Sequence, residues 1–266
     1  MKAMILAAGR GERMRPLTDR LPKPLLTAGG KPLIVWHLER LARAGIRDVI
    51  INHAWLGDRI EAALGDGSAY GVRISYSAEG EALETAGGIA RAMPLLTTPS
   101  SCTMHRPVPT TASPAFLLIS GDTFCDFDYG RARTIALQMQ HAQLACWCVM
   151  VANPPHHGDG DFRLANGRLL AEPLAQAPHV VPGAPHPAGA SKPRLTYGGI
   201  GVYSPRMFAS VPSAQKSPLR PWLEREIAAG RAGGEYHDGL WFDIGTAQRL
   251  AELDLLLATG SITVGV

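Results

Sequence analysis

The sequence predicts an α/β fold: a Rossmann-like, mostly parallel sheet with helices on both faces. Three observations carry that expectation. Short apolar runs alternate with stretches of helical period along the chain. The first run, Met4-Ile5-Leu6, stops at a glycine-bearing loop, Ala7-Ala8-Gly9-Arg10-Gly11. A later apolar run, 115–119, leads into Gly121-Asp122. Polar and glycine residues thus gather beyond the carboxyl ends of strands, where open parallel sheets bind ligands.

The elements follow in order. Residues 2–6 read as a buried strand. Pro32 opens a helix with Leu33, Trp36, His37, Leu41 and Ala44 on its apolar face, and Gly45 closes it. Residues 49–51 form a second strand, 56–64 a helix and 72–76 a third strand. Residues 85–93 are helical, 115–119 are a central strand and 131–141 a helix. A strand over 144–151 places Cys146 and Cys148 on one face and Trp147 on the other. One domain, 1–266, accounts for this pattern. Two stretches interrupt it: 97–114, rich in Pro, Ser and Thr, and 173–193, rich in Pro, Ala and Gly. Both read as surface-loop insertions, either lids or insertions without functional consequence, the second reading being favoured because loops tolerate insertion.

Composition sets limits. The 266 residues are 46% hydrophobic, enough for a large core. A net charge of +3 without a basic run gives no nucleic-acid footprint. The four cysteines lack a C-x-x-C spacing and read as reduced thiols of a cytoplasmic protein. Neither a secretory leader nor a membrane span is expected.

The first loop reads as a phosphate cradle. Backbone N–H groups after a strand approach an anion closely, and Arg13 and Arg15 add charge. Pro22 and Pro24 hold Lys23 on a stiff segment. The loop is not a P-loop, because no Gly-Lys-Ser/Thr follows, and Met14 breaks the dinucleotide fingerprint. Asp122 and Asp243 each follow a strand, and a pair of carboxylates suits Mg²⁺, which keeps phosphate and water ligands besides. The alternative is that Asp243 caps the helix starting near Thr246. Asp126 and Asp128 read as caps of the following helix. In the loop 79–88, Glu79 offers a carboxylate, which accepts hydrogen bonds and cannot donate them. The adjacent His156 and His157 lack the spacing and companions of a zinc site.

The segment Ala7-Ala8-Gly9-x-Gly11-x-Arg13-x-x-Pro16-Leu17-Thr18, followed by Pro22-Lys23-Pro24-Leu25, resembles the signature of the sugar-1-phosphate nucleotidylyltransferases. The likeness extends over nearly the whole chain outside the two insertions. It implies the nucleotide-diphospho-sugar transferase type of fold, and a reaction of a nucleoside triphosphate with a sugar 1-phosphate. The segments 52–57, 76–81, 156–162 and 241–246 resemble the uridylyltransferase branch, which implies UTP as donor. The resemblance makes Arg13 and Lys23 catalytic and Asp122 and Asp243 ligands of Mg²⁺. It places the nucleotide on Ala8, Gly9, Gly11, Glu12, Arg13, Lys23, Glu79, Thr85 and Gly121. It places the sugar phosphate on Asn153, Gly160, Asp161 and Gly198. Departures are Glu84 where relatives carry Gly in Leu-Gly-Thr, Ala86 where Gly is expected, and Ser120 where Asn is usual. A guanylyltransferase acting on mannose 1-phosphate and a non-catalytic sugar-nucleotide sensor are the rival readings. No membrane or nucleic-acid partner is expected, and the chain reads as a monomer or weak homodimer.

Overall fold

A computed structural model describes residues 1–99, 114–171 and 193–262. The two expected insertions fall almost wholly outside the described residues. The strands in the first half are β1 (Ala3–Leu6), β2 (Thr27–Ala28), β3 (Lys31–Pro32), β4 (Asp48–His53), β5 (Arg73–Ala78), β6 (Phe116–Ser120) and β7 (Thr123–Cys125). Then follow β8 (Cys146–Val151), β9 (Phe162–Ala165), β10 (Arg168–Leu170), β11 (Arg194–Tyr203), β12 (Ala232–Tyr236) and β13 (Trp241–Asp243). The helices are α1 (Leu17–Arg20), α2 (Leu33–Arg43), α3 (Gly57–Leu64), α4 (Glu84–Thr97), α5 (Ala132–His141), α6 (Arg220–Ala228) and α7 (Ala247–Ala258).

The main sheet runs β5-β4-β1-β6-β11-β8-β12-β10-β9. β5, β4, β1 and β6 pair in parallel, as do β8 and β12. β11 lies antiparallel between β6 and β8, so the sheet is mixed at its centre. β1 has β4 on one side and β6 on the other, which makes the end of β1 the topological switch point. The glycine loop starts there.

Alternation sorts the side chains into two layers. Ala3 and Ile5 of β1 face one core with Ile34, Leu38, Leu41 and Ile60, under α2 and α3. Met4 faces the other with Ile89, Phe116, Cys146 and Cys148, under α4 and α6. Helices therefore cover both faces, as expected. α2 ends as the sequence requires. Gly45 takes φ 68°, and the Ile46 N–H reaches back to the Leu41 carbonyl, the left-handed stop that glycine makes without a Cβ clash. A third cluster joins Met14 of the glycine loop to Leu33, Trp36, Phe124, Ile244 and Leu253. It fixes the β7–β13 ribbon and α7 beside the glycine loop.

His37, expected on the apolar face of α2, is fully enclosed. Its Nδ1 accepts from the Tyr129 hydroxyl and its Nε2–H donates to the Thr123 carbonyl, both at 2.8 Å. Burial, then nearby Arg40, pulls its pKa from the ordinary 6.5 down to about 4. The folded value lies below the unfolded one, so the unfolded chain binds the extra proton between these values. Stability is whole above pH 6.5 and falls as the pH drops toward 4. The shift corresponds to about 3 kcal/mol. Urea midpoints measured from pH 7 to 4 are expected to fall steeply for the parent and less steeply for His37→Gln, the difference in slope being that of one titrating group.

Candidate active site

Two cavities of about 490 and 320 Å³ open at the carboxyl edge of the sheet. Both are lined by Leu6, Thr85 and Ser120, so they adjoin as one cleft. The smaller is lined by Ala7, Ala8, Gly9, Lys23, Asn52 and Asp122. The larger is lined by Arg13, His156, Asp161, Tyr197, Trp241 and Asp243, among others.

The glycine loop is held open by its own turn. Gly11 adopts φ +69°, and a Cβ there would lie 2.8 Å from Thr18 Cγ2. Three arginines leave this loop, and the structure separates them. Arg10 stacks on Trp55 and pairs with Asp19. Arg15 pairs with Asp19 at 2.9 Å and with Glu12 at 3.8 Å. Arg13 has no carboxylate partner among the described residues and lines the larger cavity. Glu12 therefore spends its charge on Arg10 and Arg15, is largely exposed, and lines neither cavity. Lys23 sits in a short turn between its two prolines, is 8% exposed, and donates from Nζ to Asp122 Oδ2 at 2.5 Å.

Asp122 and Asp243 come together through the β7–β13 ribbon. Asp243 pairs in register with Thr123, and the Ile244 N–H donates to the Asp122 carbonyl at 2.9 Å. Arg249 Nη1 donates to Asp243 Oδ2 at 2.6 Å, and His156 Nε2 lies 3.1 Å from the same oxygen. Among the described residues, Asp122 Oδ1 and Asp243 Oδ1 accept no hydrogen bond. Two hard oxygens at neighbouring positions, one in each cavity, fit the demands of Mg²⁺. The capping alternative for Asp243 fails. Thr246 is the N-cap of α7, its hydroxyl accepting from the Arg249 N–H. Asp128 caps its turn by accepting from Gly130 N–H, but Asp126 does not cap; it accepts from His237 Nε2 at 2.7 Å. Cys125 lies beside that pair, its sulfur accepting from the Phe127 N–H, and the three line neither cavity.

Several of the expected contact residues also build the frame of the cleft. Glu79 is 7% exposed and lines neither cavity; its oxygens accept from Asn52 Nδ2 and the Leu83 N–H. Each oxygen is thus held by a protein donor, which fixes the carboxylate beside the cleft. Gly121 lies under the Leu6 carbonyl, where a Cβ would come within 2.6 Å of oxygen. Asn153 ties Gly158 and Arg194 carbonyls together, and Gly160 packs against it. Gly198 offers its carbonyl to Trp241 Nε1 at 2.9 Å. Ala8, Gly9 and Thr85 line the cleft, as does Asp161, which accepts from the Tyr197 N–H. Sequence reasoning gave no role to Asn52 or Arg249, whereas the segment 197–200 resembles one that lines the sugar pocket in relatives. For Arg249 a signal existed, since Thr246 marks a helix start and the residue three positions on faces the cap.

A strand-end glycine loop, a buried lysine and a carboxylate pair line one cleft of an α/β fold. The chain belongs to the nucleotidyl transferase family, whose sequence profile matches residues 2–259. It is 46% identical to the N-acetylmuramate alpha-1-phosphate uridylyltransferase of Neisseria meningitidis serogroup B, over 96% of this chain and 98% of that one. It is 30% identical to the protein of that name from Caulobacter vibrioides, over 96% of each chain. The mannose-1-phosphate guanyltransferase beta-B of Xenopus laevis is 28% identical, with 92% of this chain covering 61% of that protein. Among solved structures, a Bacillus anthracis chain described as a putative glucose-1-phosphate thymidylyltransferase superposes with a TM-score of 0.74. The superposition covers 100% of this chain and 98% of that one at 20% identity, which speaks for the fold. Among the described residues, no helix is long and apolar enough to cross a membrane.

Proposed function

We propose that this chain transfers UMP from UTP to N-acetylmuramic acid 1-phosphate, giving UDP-N-acetylmuramic acid and pyrophosphate. Such a reaction would return a cell-wall amino sugar to use. The observation that carries the reading is 46% identity across the full span of a uridylyltransferase with that substrate. The guanylyltransferase relative matches at 28% and extends well beyond this chain.

The chemistry needs no general base. A sugar 1-phosphate is largely dianionic near neutral pH, because its second pKa is about 6 by analogy with phosphate monoesters. One phosphate oxygen attacks the α-phosphorus, and the bond to the β-phosphate oxygen breaks. The obstacle is bringing anions together, so catalysis is positioning and neutralisation. Ala8 and Gly9 offer backbone to the triphosphate in the smaller cavity. Lys23 faces the α-phosphate and the incoming phosphate. Arg13, free of carboxylates among the described residues, meets the charge that develops on the leaving pyrophosphate. Asp161 and Tyr197 lie at the sugar end of the larger cavity. Asp122 and Asp243 would hold Mg²⁺, which supplies charge neutralisation and a template for the phosphates.

The test is turnover. Pyrophosphate release is measured with UTP or GTP against the 1-phosphates of N-acetylmuramic acid, N-acetylglucosamine and mannose. UTP with the muramic substrate is expected to give the highest kcat/KM. A preference for GTP with mannose 1-phosphate overturns the assignment. No turnover with any pair favours a sensor.

A further inference from the structure

We propose that Asn52 and Glu79 form a buried strut that sets the width of the nucleotide slot, which makes them positioning residues for the nucleoside triphosphate. The strut runs between the two loops that bound the smaller cavity. At one end the Ala7 N–H, at the start of the glycine loop, donates to Asn52 Oδ1 at 3.0 Å. Asn52 Nδ2 then donates to Glu79 Oε1 at 2.6 Å. At the other end Glu79 Oε2 accepts from the Leu83 N–H at 2.8 Å, just before Glu84 and Thr85 of the cavity wall. The chain of bonds thus joins the phosphate side of the slot to the opposite side. Both anchors are fixed: the Glu79 N–H bonds to the His53 carbonyl, and the Leu83 carbonyl accepts from Ser217 N–H. Asn52 is 2% and Glu79 7% exposed.

Residue chemistry argues that this is a specified device. Glu79 faces two donors, an amide NH₂ and a backbone N–H, and no cation pairs with it among the described residues. Only a carboxylate offers an acceptor on both oxygens; a glutamine would turn a donor toward one of these two donors. Asn52 must accept from one side and donate to the other, which an amide does and a carboxylate does not. Gly88 of α4 closes over the pair. A Cβ there would clash with Glu79 Oε1 and lie 2.8 Å from Asn52 Nδ2, so the helix is admitted only without a side chain. A buried carboxylate without a cation, beside a slot for a polyanion, is costly, and the matched donors offset that cost.

The pattern can be inverted without losing a bond. N52D alone sets two carboxylates face to face. E79Q alone sets two donors face to face. The double variant N52D/E79Q removes both clashes. The carboxylate introduced at position 52 accepts from the Ala7 N–H and from the amide introduced at position 79. That amide's oxygen in turn accepts from the Leu83 N–H. The experiment measures Kd and KM for UTP, kcat, the UTP-to-CTP preference and Tm for the parent, N52D, E79Q and N52D/E79Q. Each single variant is expected to weaken UTP by about tenfold in Kd and KM, with kcat within about twofold; the double is expected to return to within about threefold of the parent.

A double variant no better than its worse single overturns the strut. So does a Tm that falls and recovers while UTP affinity never moves, because the pair then serves the fold alone. A changed UTP-to-CTP preference in E79Q that the double does not restore overturns it in favour of a direct base contact. Should N52D fail to fold, E79Q and the double still decide. The proposal rests on UTP occupying this slot. Absence of parent turnover with measurable UTP binding fails the assigned reaction and leaves the strut to be judged on Kd; absence of UTP binding fails both.

Discussion

Replacing Lys23 with alanine is expected to lower kcat by about a hundredfold or more, the scale of a lost preorganised electrostatic contact, while raising KM for UTP only modestly. The lysine is placed for it. Its backbone is pinned between Pro22 and Pro24, and its ammonium emerges in the cavity lined by Ala8, Gly9 and Asp122. In the proposed reaction a charge held there meets a triphosphate already in the ground state. It meets a second phosphate only as the acceptor closes on the α-phosphorus, so its attraction grows toward the transition state. Alanine also leaves the Asp122 carboxylate without the counter-charge 2.5 Å away. Steady-state kinetics in both substrates, with Tm as the folding control, check this. An unchanged kcat with only a raised KM for UTP would show uniform binding and remove the lysine from the reacting centre.

How much of this was legible in the sequence depends on the distance over which each feature is decided. β1, its glycine loop and Gly121-Asp122 are local: an apolar run followed by small residues has one reading in a parallel sheet. The stop of α2 at Gly45 is equally local. The place of β11 was not legible. Thr-Tyr-Gly-Gly-Ile marks a strand with a glycine kink, but nothing local makes it antiparallel between β6 and β8. The same limit governed the site. The two aspartates were visible as carboxylates at strand ends, and Lys23 as a lysine held between prolines. The direction of Glu79 was not, because one of its two donors is Asn52, on the distant strand β4. Asp126 looked like a cap until His237, from the far end of the chain, supplied a partner. Among the loop arginines, the four-residue spacing of Arg15 and Asp19 was a readable sign that Arg15 is spent. The pairing of Arg10 with Trp55 was not.

Asp243→Asn is expected to reduce kcat/KM on the order of a hundredfold at fixed Mg²⁺, by the several kcal/mol that metal-assisted charge stabilisation supplies, with partial recovery at higher Mg²⁺. An amide presents one neutral oxygen where the carboxylate presented a charged one, and hard cations bind it less well. Arg249, now 2.6 Å from Asp243 Oδ2, would lose its counter-charge and add positive potential at the same spot, which weakens cation binding further. Asp122→Asn is expected to act in the same direction, freeing Lys23 in place of Arg249. The competing reading, that Asp243 serves the helix start, makes a different forecast. The cap is Thr246, so Thr246→Ala is expected to cost about 1 kcal/mol of stability and to leave the Mg²⁺ dependence unmoved. A Mn²⁺ titration followed by magnetic resonance reads the carboxylates without turnover. Asp243→Asn is expected to shift that isotherm to higher Mn²⁺, and Thr246→Ala is expected to leave it in place. An Asp243→Asn protein that binds Mn²⁺ and turns over like the parent would take the residue out of the metal pair, leaving it as the partner that holds Arg249 and His156 at the mouth of the larger cavity.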